Sequence, residues 1–372
     1  MKTTAAVIHE VGKPLEIEEL DLAGPQEGEV LVRYTHAGLC HSDLHVMQGE
    51  IAGWLPMVLG HEGAGVVEDV GPGVTRVAPG DHIVCSFIPS CGSCHWCATG
   101  RQAICDWGAN TMRGFLPGEH WPLSGPAGRY GAMCMLGTFS RYGVIHQYSA
   151  VKIRPDLPLD VAALVGCGVP TGWGSAVNAA DVRPGQTVVV YGVGGIGVNA
   201  VQGARLAGAR HVVAVDPVPL KRETALALGA THATGDADEA HRLVQDLTWG
   251  VGADKSIVTV GRTDPDVIDQ AFAVIGKAGT LVLTSMGGGF RDRTIQLPAQ
   301  VATLWKKTIK GSLFGDCNPT TDIPRLLDLY SAGDLKLDEL ITKRYSLEQV
   351  NEGYDDLLAG ANVRGIIEHR HD

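Results

Sequence analysis

Thr187-Val188-Val189-Val190-Tyr191-Gly192-Val193-Gly194-Gly195-Ile196-Gly197 joins an unbroken β-prone run to a Gly-x-Gly-x-x-Gly turn. An apolar run of this length, bounded by glycine, fits a strand covered on both faces. A helical stretch follows through Ala207, and His211-Val212-Val213-Ala214-Val215 then reads as the next strand. That strand ends on Asp216, 19 residues past Gly197. A strand, a glycine turn, a helix and an acid at this distance form the fingerprint of a dinucleotide site. Gly192 would make the tight turn, Gly194 and Gly195 would let backbone approach a pyrophosphate, and Gly197 would let helix and strand pack closely. The helix N-terminus favours the phosphate charge. Asp216 would accept from ribose hydroxyls and repel a 2′-phosphate, which favours NAD over NADP. The other reading is a βα turn whose glycines serve packing alone.

The same alternation continues outward. Helices are expected near 218–228, 237–248 and 266–275, with strands near 255–260 and 280–285. Strands alternating with helices predict a parallel, doubly wound sheet. Past Gly311 the texture changes, with helices expected at 322–331 and 346–359 and a strand at Val363–Ile367. Upstream, short β-rich runs such as Val30-Leu31-Val32, Val66-Val67 and His82-Ile83-Val84 are punctuated by Gly71-Pro72-Gly73 and Pro79-Gly80. They predict a compact β-barrel-like unit. Residues 106–137 show no period and read as a long loop.

The 372 residues are enough for two domains. Hydrophobic residues make up 45% and charged residues 19%, ordinary values for a folded chain. The net charge of −11 disfavours a nucleic-acid partner, which needs clustered Lys and Arg. No apolar run approaches a membrane span, and no secretory leader is visible, so a cytoplasmic chain is expected.

Nine cysteines, an odd number without a leader, fit free thiols in a reducing compartment. Four of them, Cys91, Cys94, Cys97 and Cys105, fall in one short loop. Disulfides there would have to close very short rings, whereas a tetrahedral zinc takes four such thiolates and keeps no open position. That predicts a structural site, with His95 left to solvent. Cys40, His61 and Cys167 are also of metal-ligand type, and two Cys plus one His can hold a catalytic zinc with a vacant corner. Spacing alone does not join residues so far apart. Taken singly, Cys40 or Cys167 is more often an inert buried thiol and His61 a hydrogen-bonded core histidine.

The motif Gly60-His61-Glu62-Gly63-Ala64-Gly65, the four-cysteine loop, Gly166-Cys167-Gly168 and the glycine turn with its acid occur in one order. In this the sequence resembles the zinc-dependent medium-chain alcohol dehydrogenases over essentially its whole length. It is most like the branch holding class III enzymes and actinobacterial NAD-dependent or nicotinoprotein relatives. The resemblance implies an α/β chain. A GroES-like β-rich catalytic domain with the structural zinc loop would span residues 1–172, and a Rossmann domain binding NAD would span 173–312. A return segment at 313–372 would complete the first domain. It implies two zinc ions per subunit, with Cys40, His61 and Cys167 on the catalytic one and Cys91, Cys94, Cys97 and Cys105 on the structural one. Glu62 looks like the carboxylate that can approach the metal, and Asp43 like the acid that fixes the ligating histidine. Ser42 and His45 match the proton path from the alcohol, His45 at its solvent end. Lys221 matches an adenosine-side contact, Thr171 a contact near the nicotinamide, and Arg364 a pyrophosphate contact. Phe87, Ile51 and Trp54 match regions lining the substrate pocket, which suits an apolar or aromatic alcohol, although core packing accounts for each singly.

His41 stands where many relatives carry an arginine that pairs with pyrophosphate. Histidine is only partly charged near neutral pH, so the strength of cofactor binding is open at that position. The expected activity is reversible hydride transfer from an alcohol to NAD, giving an aldehyde or ketone, in a homodimer or homotetramer. Alternatives are a nicotinoprotein with tightly held NAD and a thiol-dependent formaldehyde dehydrogenase. From a different class comes a non-catalytic zinc ribbon that binds nucleic acid.

Overall fold

The computed structural model describes residues 1–286 and 295–371. The chain forms two compact units: Met1–Cys167 with Asn318–Asp372, and Gly168–Cys317.

The second unit is built on a six-stranded sheet. Its strands run in the order His232–Thr234, His211–Val215, Thr187–Tyr191, Ala253–Val258, Ile275–Leu283 and Thr308–Gly311. Every neighbouring pair is parallel. Numbered along the chain this is 3-2-1-4-5-6, the doubly wound order in which the glycine turn follows the central first strand. The central run is continuously apolar because both its faces are covered. Val188 and Val190 pack on one side with Val201 and Ala204 of the helix Gly197–Leu206. Val189 and Tyr191 pack on the other with Val244 of Ala237–Leu247 and Phe272 of Pro265–Val274. Successive residues of a strand point to opposite faces, so the four split two and two.

The first unit is β-rich. Lys2–Ile8, Glu16–Leu22, Leu123–Gly125, Gly128–Ala132 and Met57–Val58 close a barrel. Beside it lies a seven-stranded sheet ordered Ala150–Lys152, His82–Cys85, Gly63–Val70, Glu29–Gly38, Arg364–Glu368 and Ile341–Ser346, with Tyr142–His146 also paired to Glu29–Gly38. One apolar cluster, including Val32, Tyr34, Leu39, Leu59, Ile83, Phe139 and Ile367, fills its interior.

Residues 106–137 depart from the expected loop. They hold the hairpin Leu123–Gly125 and Gly128–Ala132, which supplies two barrel strands, and short 3₁₀ turns at Asp106–Asn110, Pro117–Glu119 and Met133–Met135. Leu-Ser-Gly and Gly-Arg-Tyr-Gly-Ala hold neither an apolar run nor an alternation, so nothing marks them as strands in a sequence. The helix Gly168–Gly174 was not expected either. Its sequence Gly-Val-Pro-Thr-Gly-Trp-Gly is among the poorest of helix formers.

Candidate active site

Strand pairing brings the distant cysteines together in the first unit. Glu29–Gly38 pairs antiparallel with Gly63–Val70, Ala37 opposite Gly63, and the Gly38 N–H donates to the Glu62 carbonyl at 3.0 Å. Cys40 lies just past the end of one strand and His61 just before the start of the other, so both stand at the same end of the pair. Arg364–Glu368 pairs on the other side, Ile366 opposite Gly38, which brings Arg364 to that end too. Gly63 also faces Cys85, and an added Cβ on Gly166 would lie 2.7 Å from the Cys85 carbonyl oxygen, so Cys167 arrives from the third direction.

The result is a buried group: Cys40, His61, Glu62 and Cys167 each offer a ligand atom within 4.8 Å of the others. Asp43, fully buried, accepts at one oxygen from the Gly60 N–H at 2.9 Å and pairs with His61 Nδ1 at 3.1 Å. That hydrogen bond puts the proton on Nδ1 and the lone pair on Nε2. His61 Nε2 is buried and finds no hydrogen-bond partner among the described residues. An orphaned imidazole lone pair facing two thiols is the donor set of a zinc ion with an open position, so the residues fit the metal. Burial pulls the His61 pKa down, but the Asp43 and Cys40 charges outweigh it and hold it well above the usual range, so a metal ion competes with a proton for the Nε2 lone pair. A hydrogen bond from Cys167 holds the Cys40 thiol well below its ordinary pKa, and the same bond pushes Cys167 up. Burial pushes the Glu62 carboxyl up to about 7 against the pull of Arg364.

Arg364 forms a buried ion pair with Glu62. The pair runs across Gly38, where an added Cβ would collide with the Glu62 carboxylate. His41, Ser42, Asp43 and His45 share the helix His41–Met47. Ser42 Oγ lies 3.6 Å from Cys40 Sγ. His45, expected at the solvent end of the proton path, is itself buried, and its Nδ1 meets Glu50 Oε2 at 2.7 Å. Phe87 stands edge-on to the His61 ring at 5.8 Å. Ile51 packs with Phe87 against the first unit's core. Trp54 is half exposed and leans on Trp121 at 5.0 Å with the ring planes 55° apart, and Phe115 lies on the far side of Trp121.

The four sulfurs of Cys91, Cys94, Cys97 and Cys105 lie within 4.8 Å of one another. Backbone N–H groups of Ser93 and Cys94 point at Cys91 Sγ at 3.4 and 3.3 Å, and that of Cys97 at Cys94 Sγ at 3.4 Å. Such donors stabilise thiolate: burial raises the Cys91 pKa, yet the two N–H bonds bring it down to about 6. His95 is exposed and rests against Trp96. Arg76 clamps this loop, donating to the carbonyls of Ser90 and Cys91 at 2.7 and 3.2 Å and stacking over Tyr148. A lone arginine after a Gly-Pro turn carries no signal of that role in the sequence.

In the second unit, Gly192 has φ +80°, and an added Cβ would lie 2.9 Å from Val260 Cα. A Cβ on Gly197 would collide with the Gly192 carbonyl. Gly194 is different: a Cβ there would meet only Lys221 Nζ at 3.9 Å, so space stands open above the turn. Asp216 closes the turn from the next strand, accepting from Val193 and Val218 N–H groups at 2.9 Å each. Gly195 accepts from the Asn199 amide at 2.9 Å, and Thr171 is buried in the helix Gly168–Gly174. An open glycine turn with a lysine and a buried acid beside it fits the phosphates and ribose of a dinucleotide.

A family model described as "Alcohol dehydrogenase GroES-like domain" matches residues 26–155, and one described as "Zinc-binding dehydrogenase" matches 195–332. The chain is 59% identical over 372 residues to the "NDMA-dependent alcohol dehydrogenase" of Amycolatopsis methanolica, covering 100% of both chains. It is 58% identical over 369 residues to "Putative alcohol dehydrogenase D" of Mycobacterium tuberculosis, covering 99% of this chain and 100% of that one. Among solved structures, benzyl alcohol dehydrogenase from Acinetobacter calcoaceticus is similar at a TM-score of 0.91 with 30% identity, covering 100% of each chain. The chain belongs to the zinc-dependent medium-chain alcohol dehydrogenases, in the branch of these actinobacterial relatives, with zinc and an NAD-type dinucleotide as cofactors.

Proposed function

We propose that this alcohol dehydrogenase oxidises an apolar or aromatic alcohol at a zinc held by Cys40, His61 and Cys167, with Ser42 and His45 carrying the proton away. The observation that carries it is the buried, unpartnered Nε2 of His61 among the two thiols. When bound, zinc supplies a Lewis acid that lowers a hydroxyl pKa and the dinucleotide supplies a hydride acceptor. Asp43 holds His61 in the tautomer that can ligate. Glu62, paired with Arg364, keeps a second carboxylate next to the ligand set. Ser42 takes the hydroxyl proton and His45 receives it further out. The alcohol's C–H leaves as hydride with its electron pair, so alcohol becomes carbonyl and one proton is released. Phe87 covers one side of His61 and favours an apolar substituent, with Ile51 and Trp54 as further lining. In the second unit Gly192, Gly194, Gly195 and Gly197 cradle the pyrophosphate beside Lys221. Asp216 holds the adenosine ribose, and Thr171 lies toward the nicotinamide. Cys91, Cys94, Cys97 and Cys105 hold the structural zinc. The enzyme works on small molecules as a cytoplasmic homodimer or homotetramer with no nucleic-acid or membrane partner. The net charge of −11 and nine free thiols support that setting. No helix among the described residues is long and apolar enough to cross a membrane.

A second reading is favoured by the relative at 59% identity whose name makes it NDMA-dependent. In it the chain keeps its dinucleotide through turnover and hands electrons to an artificial acceptor, NDMA, instead of exchanging NADH. One screen tests both. Primary, secondary and aromatic alcohols are offered with NAD⁺ alone and with NDMA alone, and retained dinucleotide is assayed after gel filtration. Aromatic primary alcohols should turn over best. Turnover on acceptor alone, with NAD retained, selects the second reading, whereas NADH formation on NAD⁺ alone selects free exchange. Cys40→Ala should lose one zinc per chain and activity by about a thousandfold or more, since a ligand to the Lewis acid is gone. Full activity in that variant, with zinc assayed, overturns the ligand assignment.

A further inference from the structure

The helix His41–Met47 carries Ser42 and His45 three residues apart, on one face. Directly after it the chain turns back through Gln48 and Gly49. Gly49 has φ +75°, and an added Cβ would press into Val11 at 2.7 Å. The turn lays Glu50 over His45 twice. The Glu50 N–H donates to the His45 carbonyl at 2.9 Å, and the Glu50 carboxylate meets the His45 ring at Nδ1 at 2.7 Å. The His45 side chain is 6% exposed and that of Glu50 19%, so Glu50 stands nearer to solvent.

We infer that Glu50 is a positioning residue for His45, fixing the Nδ1–H tautomer so that Nε2 keeps the lone pair that receives the proton. The inference rests on the proposed Ser42–His45 path and adds a member to it. The physical need is specific. An imidazole hydrogen-bonded through the wrong nitrogen presents an N–H where a base is required, and turnover falls even when the ring stays in place. Buried as it is, the ring cannot rely on bulk water to choose its tautomer. The backbone bond from Glu50 to His45 and the glycine turn set the carboxylate beside the ring. His61 and Asp43 repeat the same device at the metal-ligand position, with Nδ1 on a carboxylate and Nε2 left for chemistry.

The test uses the zinc- and dinucleotide-loaded enzyme with ¹⁵N-histidine, His45 being assigned by the signal lost in His45→Gln. The parent should show the Nδ1–H tautomer. Glu50→Ala should shift His45 toward Nε2–H and lower kcat by about 10- to 100-fold with KM within about twofold, the size expected for impaired proton transfer. Glu50→Gln still presents an acceptor oxygen, so it should keep the parent tautomer and recover kcat to within about threefold. Melting temperature and zinc content of each variant show that it is folded and loaded. An Nε2–H tautomer in the parent, Glu50→Ala within twofold of parent kcat, or Glu50→Gln as slow as Glu50→Ala overturns the inference. His45→Ala separates the two levels. If it is fully active the Ser42–His45 path fails. If it is slow while Glu50→Ala is fast, only the role of Glu50 fails.

Discussion

Asp43 shows how much one carboxylate oxygen decides. It accepts from the Gly60 N–H and from His61 Nδ1, so a single atom fixes both the turn that carries the ligand and the ligand's tautomer. Gly60 must be glycine there, since its φ is +88° and a Cβ would lie 2.6 Å from the Phe139 amide. Asp43→Asn keeps the shape but loses the charge that favours a donating Nδ1–H. Zinc affinity should fall about 10- to 100-fold, the usual loss for a partner behind a metal-bound histidine. Equilibrium dialysis against a zinc buffer measures it, and an unchanged dissociation constant would rule this role out. Residues at this scale were legible in the sequence to different degrees. The four-cysteine loop declares itself because its ligands are local. Cys40, His61 and Cys167 do not, because strand pairing and not spacing assembles them, and only the resemblance joined them. Glu50 was missed outright: an acid in a turn has no pattern until the turn folds it back onto a ring.

The helix Gly168–Gly174 and the glycine turn show the opposite uses to which glycine is put. Within the second unit a Cβ on Gly172 would collide with the Ile196 carbonyl and lie 2.8 Å from Asn199 Cβ, so the helix needs glycine to seat against the turn. A Cβ on Gly194 would meet nothing closer than 3.9 Å. Gly172→Ala should therefore cost about 1–3 kcal/mol through overpacking against backbone that cannot yield. Gly194→Ala should leave stability unchanged and weaken dinucleotide binding, because a pyrophosphate needs that space. Urea unfolding of both variants, with cofactor titration, checks the pair, and a stable Gly172→Ala or an equally tight Gly194→Ala contradicts it. The same packing explains why the helix was not legible: residues that look like helix breakers are there for close approach, not propensity. Thr187–Tyr191 and His211–Val215 were legible because burial on both faces makes them nearly unbroken apolar runs. The hairpin at Leu123–Ala132, broken by glycines, has no such run.

At the scale of the molecule, each zinc set belongs to the first unit, but they differ in what they hold. The loop at 91–105 contains only the helix His95–Ala98 and the 3₁₀ turn Gln102–Ile104, so its shape depends on four sulfurs and on Arg76. Cys105→Ser should reduce zinc from two ions to one per chain and open this loop to protease, while dinucleotide binding by the second unit persists. Metal analysis, limited digestion and cofactor titration would show it, and a loop still protected with one zinc would mean the thiolates are dispensable for its fold. The first unit also has an interrupted chain: it stops at Cys167 and resumes at Asn318. On the ribosome, strand Glu29–Gly38 must wait for the much later strand Arg364–Glu368 before its outer edge near Gly38 is paired. Until then Glu62 has no guanidinium, and an exposed strand edge invites the wrong neighbour. Residues 168–317 emerge with every strand of their own sheet already in hand. Synthesis thus orders assembly: the inserted segment can finish while the older flanks remain open, and a truncated translation product would be a sticky half-sheet beside a completed domain.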